Sequence, residues 1–328
     1  MSLTTYIKQL KLSYIQDLLD NPIFQWNYHF MSKNPSIPWE IVQNNPTKPW
    51  CIDILSENPN ITYDIIVENA KPWWTSKNPN ITWDIITKFP NFKWNYDSLS
   101  RNPNIVLQNV LDKPDEYWSW YYLSLLPTMT WDVIKANLGC SWHWPNVSKN
   151  KNITWAIVQA NPEMPWHLPS LLENPNITLN IIDINDPMWG TKFDKGYWHS
   201  QNPNLSWDIV QANPDVSWYI PYVNQYADIT ADIISDNPNY AWEYKDLSRN
   251  KNITAEIVLT HPAKGKQYWD MNALSMNPGI FRIPDEKLVD LIQRYRAASL
   301  IQRCWFRCIT NPAYLKCRER LIKEFELL

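Results

Sequence analysis

The side chains able to do chemistry are few and dispersed. There are five histidines, His29, His143, His167, His199 and His261, and five cysteines, Cys51, Cys140, Cys304, Cys308 and Cys317. A hydrolytic zinc site needs ligands bunched as in HExxH, a structural one needs pairs of the CxxC type, and an acyl-transfer nucleophile needs the GxSxG turn. None of these occurs, and neither does a glycine-rich phosphate loop. Cys304, Cys308 and Cys317 offer three thiolates but no fourth ligand to complete a tetrahedron. His143 and His167 lie 24 residues apart, each directly after a tryptophan, Trp142 and Trp166. That spacing suggests equivalent places on adjacent repeats, about 8–10 Å apart if set by packed helices and too far to share one metal ion. The carboxylates Asp64, Asp84, Asp132 and Asp208 recur in one shared context rather than as a facing pair, so no general acid and base can be assigned to them. These residues predict no enzymatic activity, no cofactor, no metal and no small-molecule substrate.

What remains are residues that bind by area and charge. The stretch PMWGTKFDKGYWHS holds Gly190 and Gly196 in a chain with only five glycines. Insertions in repeat proteins map to loops on one face, often the binding face. Trp189, Lys192, Phe193, Lys195, Tyr197 and Trp198 are the candidates there. Residues 286–328 hold nine Lys/Arg and five Asp/Glu, a balance of +4 within a chain of net charge −3, which leaves −7 for the rest. In that tail, Leu288, Leu291, Ile292 and Tyr295 share one helical face, opened by Pro284-Asp285-Glu286.

The elements that must position these groups come from a repeat. The Asn of Asn78-Pro79-Asn80-Ile81 has equivalents at Asn34, Asn58, Asn102, Leu126, Asn150, Asn174, Asn202, Tyr226, Asn250 and Asn277, mostly 24 residues apart. A tryptophan follows sixteen residues later, at Trp50, Trp74, Trp94, Trp118, Trp142, Trp166, Trp218 and Trp242, and Trp26 extends the register by one unit. Thr82 before Trp83-Asp84-Ile85-Ile86 reads as an N-cap, with Asp84 favoured in the first turn and Ile81 and Ile86 as a hydrophobic staple. Phe89-Pro90 stops that helix, and other units use Asn-Pro, as at Asn45, Asn161, Asn213 and Asn237, where Asn suits the left-handed conformation of helix ends. A second short segment, Trp94 to Leu99, precedes the next anchor. Each segment is about two turns, too short to persist alone, so stacking must supply the stability. The recurrent Ile and Trp then form a continuous core. The first-turn Trp39, Trp83, Trp131, Trp155 and Trp207 give way elsewhere to Tyr63, Leu107, Leu179, Ala231 and Ala255, so no unbroken aromatic ladder is expected.

The expected fold is all-α, a solenoid of about eleven tandem 24-residue units of two short helices, α/α or α/3₁₀, with a C-terminal helical cap. The expected boundaries are an N-terminal cap and degenerate first repeat over 1–33, the array over 34–282, and a basic amphipathic segment over 283–328. Only four residues separate Trp74 from Asn78 instead of the usual eight, which predicts a notch. The tail has three open uses: closing the end of the array, filling a partner's groove, or lying on an anionic surface. Absence of a signal-like run and of an 18-residue apolar stretch predicts a chain inside the cell with no transmembrane segment, and the odd number of cysteines fits a reducing compartment. There the Asn-x-Thr triplets at Asn60, Asn80, Asn152, Asn176 and Asn252 read as turn plus N-cap rather than glycosylation sites.

The period, the Asn-Pro-Asn-x-Thr turn and the second short segment resemble the leucine-rich repeat variant family, whose fold alternates α and 3₁₀ helices in a right-handed superhelix. The wording NPNITWDII, followed by AASLIQRCWFRC and NPAYLKCRERLIKEFELL, is similar to tandem-repeat proteins of giant DNA viruses that infect amoebae, and this likeness spans nearly the whole chain. It implies an interaction role. Ala297-Ala298-x-x-Ile301-Gln302-x-x-Trp305 is similar to the IQ motif that binds calmodulin-like proteins, although Phe306 stands where that motif has arginine, Arg307 comes one place late and the glycine is missing. Through this resemblance Ile301, Gln302, Trp305 and Arg307 become candidates for a partner contact. The functional expectation is a macromolecular scaffold, chiefly protein-binding. The alternative is a nucleic-acid binder that uses the basic tail and exposed aromatics.

Overall fold

The computed structural model describes residues 2–62, 64–65, 76–178, 195–262, 268–311, 313, 319–320 and 323. Among them all regular structure is helical, in about twenty short helices strung in tandem. The notch expected after Trp74 lies outside the described residues. Two compact units are present, Asp17–Phe281, and Met1–Gln16 with Arg282–Leu328. In the second of these, Tyr6 stacks on Tyr295 with ring centroids 4.2 Å apart, and the Lys287 ammonium lies 5.7 Å from the Tyr14 ring.

The larger unit is the repeat array. Each anchor opens a turn, closed in the Asn102 unit by the Ile105 N–H donating to the Asn102 carbonyl. Five residues after the anchor the first helix begins, as in Trp39–Asn44, Trp83–Lys88, Trp131–Ala136 and Trp207–Ala212. Thr130, Thr154, Ser206, Thr230 and Thr254 cap these helices, each hydroxyl accepting the N–H three residues on. Thr82 has the extended backbone of a cap but its hydroxyl makes no such bond.

The helix ends differ from expectation. Asn45, Asn161, Asn213 and Asn237 have φ between −121° and −138°, not left-handed. They work through their side chains: the Nδ2 of each donates to the carbonyl four residues back, satisfying an orphan of the last turn. The backbone carbonyl of each Asn or its equivalent then accepts the indole N–H of the register tryptophan, with Trp50 donating to Asn45, Trp142 to Asn137, Trp166 to Asn161 and Trp242 to Asn237, at 2.8–2.9 Å. The tryptophan thus pins the end of one helix to the start of the next, such as Trp120–Leu123 or Trp144–Lys149.

The core is built twice per unit. Three residues after the anchors lie Ile37, Ile61, Ile81, Ile105, Met129, Ile153, Ile177, Leu205, Ile229, Ile253 and Ile280, all buried. Three residues before them lie Met31, Leu55, Leu99, Leu123, Val147, Leu171, Val223, Leu247 and Leu274, also buried. Each such side chain contributes roughly 1.5–3 kcal/mol through its removal from water. The first-turn tryptophans divide, with Trp131 and Trp207 buried and Trp39, Trp83 and Trp155 at the rim.

Units are bonded to one another by three recurring polar contacts. The anchor asparagine is fully buried; its Oδ1 accepts the N–H two residues on, while its Nδ2 reaches back to the preceding unit. For Asn102 those acceptors are the carbonyls of Ser76, Asn78 and Ile81, and for Asn174 those of Ser148, Asn150 and Ile153. Second, the serine two places before an anchor accepts an N–H from the following unit, as Ser100 does from Ser119 and Ser148 from His167. Third, the polar residue two places after an anchor donates back, as Asn80 does to Pro59 and Asn152 to Pro127. Asn60, Asn80, Asn152 and Asn176 of the Asn-x-Thr triplets are committed this way.

All three contacts also join the first unit to the last. Asn34 Nδ2 donates to the carbonyls of Ser275 and Asn277 at 3.0 and 3.1 Å, the Asn27 N–H donates to Ser275 Oγ at 3.0 Å, and Ser36 Oγ donates to the Pro278 carbonyl at 3.2 Å. The helices Tyr28–Met31 and Met271–Met276 pack together, and Trp26 meets Phe281 at 5.0 Å between ring centroids. The array is a closed circle of units. An open solenoid's need for a terminal cap is met here by its own two ends. Trp269, displaced three residues along by a longer connection, takes the register place in the last unit, its indole donating to His261.

Candidate interaction surfaces

His143 and His167 turn out to be helix caps. His143 Nδ1 accepts the Asn146 N–H and His167 Nδ1 accepts the Ser170 N–H, each at 3.3 Å, and His167 Nδ1 also lies 2.8 Å from Ser170 Oγ. Burial, with the nearby Lys149 ammonium, holds His167 below the usual imidazole range. No cluster of three metal-ligating side chains exists among the described residues.

His199 is the residue that sequence reasoning missed. It stands three places before the anchor Asn202, where the other described units carry Met, Leu or Val. It is 1% exposed, its Nε2 has no hydrogen-bond partner, and burial pushes its pKa down to about 4. Beside it, Thr178, Asn202, Asn204, Leu205 and Ile209 frame a cavity of about 10 Å³, scarcely one water molecule. Aligning the units on their anchors exposes the odd residue. Read as one of five scattered histidines, it carries no signal.

The candidates of the insertion fare unevenly. Trp189, Lys192 and Phe193 lie outside the described residues, and Lys195 begins the helix Lys195–His199. Tyr197 and Trp198 are half-buried and in edge contact at 5.2 Å. Tyr197 belongs to a tyrosine ledge with Tyr219 and Tyr222, ring centroids 4.8–5.4 Å apart, continued by Tyr226. The hydroxyls of Tyr197 and Tyr222 meet at 3.3 Å, and that bond, with some burial, pushes Tyr222 up to about 12. Gly196 has a packing reason rather than a loop reason: a Cβ there would lie 2.3 Å from the Ser217 carbonyl oxygen of the next unit.

Two further surfaces stand out. A cleft of about 420 Å³ is lined by Trp83, Phe92, Trp94 and Tyr96 with Lys93, Lys113 and Glu116, and burial and the Glu116 carboxylate raise the Tyr96 pKa. The helix Asp285–Thr310, 26 residues long, places Ile301, Gln302, Trp305 and Arg307 together in solvent, along with Leu300, Cys304 and Phe306. The tail candidates are therefore brought together, whereas the ledge pair Tyr197 and Trp198 belongs to the array. No described helix is long and apolar enough to cross a membrane. No family model, curated protein or solved structure matches the chain.

Proposed function

We propose that this protein is a non-enzymatic scaffold that holds another protein on the outer surface of its closed array and on its C-terminal helix. The observation behind this reading is where its polar chemistry goes. Buried Asn and Ser side chains, indole N–H groups and two of the histidines are consumed in bonds within and between units, while large aromatic side chains, including Tyr117, Tyr121, Tyr219, Tyr268 and Trp305, stand exposed among the charged and polar residues of the surface. A frame fixed by so many repeated bonds presents anchors without ordering cost, and a few aromatic anchors rather than total area set affinity. The repeat wording supports placing the chain among the tandem-repeat proteins of amoeba-infecting giant viruses, acting inside the host cell or virion.

The test is affinity capture from amoebal lysate by the full chain, with and without nuclease, against a Tyr219→Ala/Tyr222→Ala variant of unchanged circular dichroism. The reading predicts the same protein retained in both nuclease conditions and depleted by the variant. Retention of nucleic acid alone, falling steeply with salt, would instead favour the nucleic-acid reading, and retention of nothing specific would refute a scaffold.

A further inference from the structure

The helix Asp285–Thr310 changes face along its length. At 100° per residue, Leu288, Leu291, Ile292 and Tyr295 form one stripe, and Tyr295 on that stripe stacks on Tyr6 of the helix Leu3–Asp20. From Ala297 onward the apolar residues move to the opposite side: Ala297, Leu300, Ile301, Cys304, Trp305 and Cys308 follow the i, i+3, i+4, i+7 rhythm of a helix meant to be covered. Yet Leu300 and Ile301 are 59% and 69% exposed, and Trp305 56%. Phe306, 63% exposed, projects about 100° or more away from that stripe. Over 291–310 there are four arginines, Arg294, Arg296, Arg303 and Arg307, and no Asp or Glu. Arg294 pairs with Asp290 one turn earlier.

We infer that residues 297–308 are the recognition helix for an acidic protein groove lined by apolar side chains, which closes around the helix rather than lying under it. This deepens the scaffold reading by giving one partner class to one surface. The arginines call for an acidic rim, and the apolar stripe calls for a hydrophobic floor. Phe306 separates a groove from an anionic bilayer: a planar surface reaches one side of a helix, whereas apolar contacts on two sides require a site that embraces it.

The experiment titrates the full chain with calcium-loaded calmodulin, used as a generic acidic groove, and separately with vesicles of phosphatidylcholine containing phosphatidylserine. Micromolar or tighter binding to calmodulin is expected. It should weaken at least tenfold in Ile301→Asp/Trp305→Asp and in Arg303→Glu/Arg307→Glu, and several-fold in Phe306→Ala, with circular dichroism unchanged; Ile301→Ser serves if the double aspartate variant misfolds. No binding to calmodulin would overturn the inference, as would vesicle binding indifferent to Phe306→Ala. A fall in sedimentation mass from dimer to monomer in Ile301→Asp would assign the face to a second copy and equally overturn it. The tyrosine-ledge capture above does not depend on this helix, so the scaffold reading can stand if this inference fails.

Discussion

An asparagine side chain carries an acceptor and a donor in one short plane, and the anchors use both functions. At Asn102 the Oδ1 accepts the Asn104 N–H while the Nδ2 serves three carbonyls of the unit before. Asn102→Leu should cost about 1–3 kcal/mol, since those buried carbonyls lose a donor. Asn102→Asp should cost more, about 3–5 kcal/mol, because it also buries an unpaired charge. Urea unfolding of the two variants checks the order, and an aspartate variant as stable as the leucine one would contradict the role. His199 gives a pH prediction. Its folded pKa of about 4 lies below the ordinary 6.5, so above about pH 6.5 both states are neutral there and stability is flat. As pH falls towards 4 the unfolded chain takes up the proton first, and stability drops by up to about 3 kcal/mol. His199→Leu, restoring the side chain typical of that place, should be more stable at neutral pH and should remove this part of the acid slope. Parallel slopes for the two proteins between pH 6.5 and 4 would contradict it.

The elements show what was legible. Helix starts at Trp131 and Trp207 follow from the Thr130 and Ser206 caps in the sequence, because capping is a local event, whereas the helix from Trp83 starts although Thr82 makes no capping bond. The helix ends were half-legible: Asn-Pro marks the stop, but at Asn45 and Asn161 the reason is a side-chain bond to the last turn, which only the three-dimensional path reveals. Gly196 resisted reading for the same reason. The sequence places it in an insertion loop, but it lets the helix Lys195–His199 approach the Ser217 backbone. Gly196→Ala should therefore destabilise the protein by about 1–3 kcal/mol through overpacking, even though alanine favours helices in isolation. Thermal unfolding decides this, and a rise in midpoint would show that the neighbouring unit yields. The tail candidates Ile301, Trp305 and Arg307 came from the likeness to the IQ motif; that they stand in solvent, while Tyr295 earlier in the same helix is covered by Tyr6, only the structure reveals.

For the array as a whole, the period and the helical class were plain in the sequence, but its closure was not. A signal was present, however. Asn34 keeps the anchor asparagine although the stretch before it is degenerate, and Ser275 keeps the acceptor serine where the repeat wording is ending. Buried polar groups without partners are rare, so the two ends had to satisfy one another. A repeat rotation that returns to its start forms a circle, and one that does not forms an open filament. Here the seam carries the same contacts as the other joints, with an additional bond of 2.7 Å from Asn27 Nδ2 to Asn272 Oδ1. The most direct test places cysteines at these two positions, Asn27→Cys/Asn272→Cys, in a chain whose five native cysteines are serine, and treats dilute protein with a short bis-maleimide. A closed array predicts efficient cross-linking within single 39.0 kDa chains. Cross-links formed only between chains, or not at all, would show that the ends do not meet.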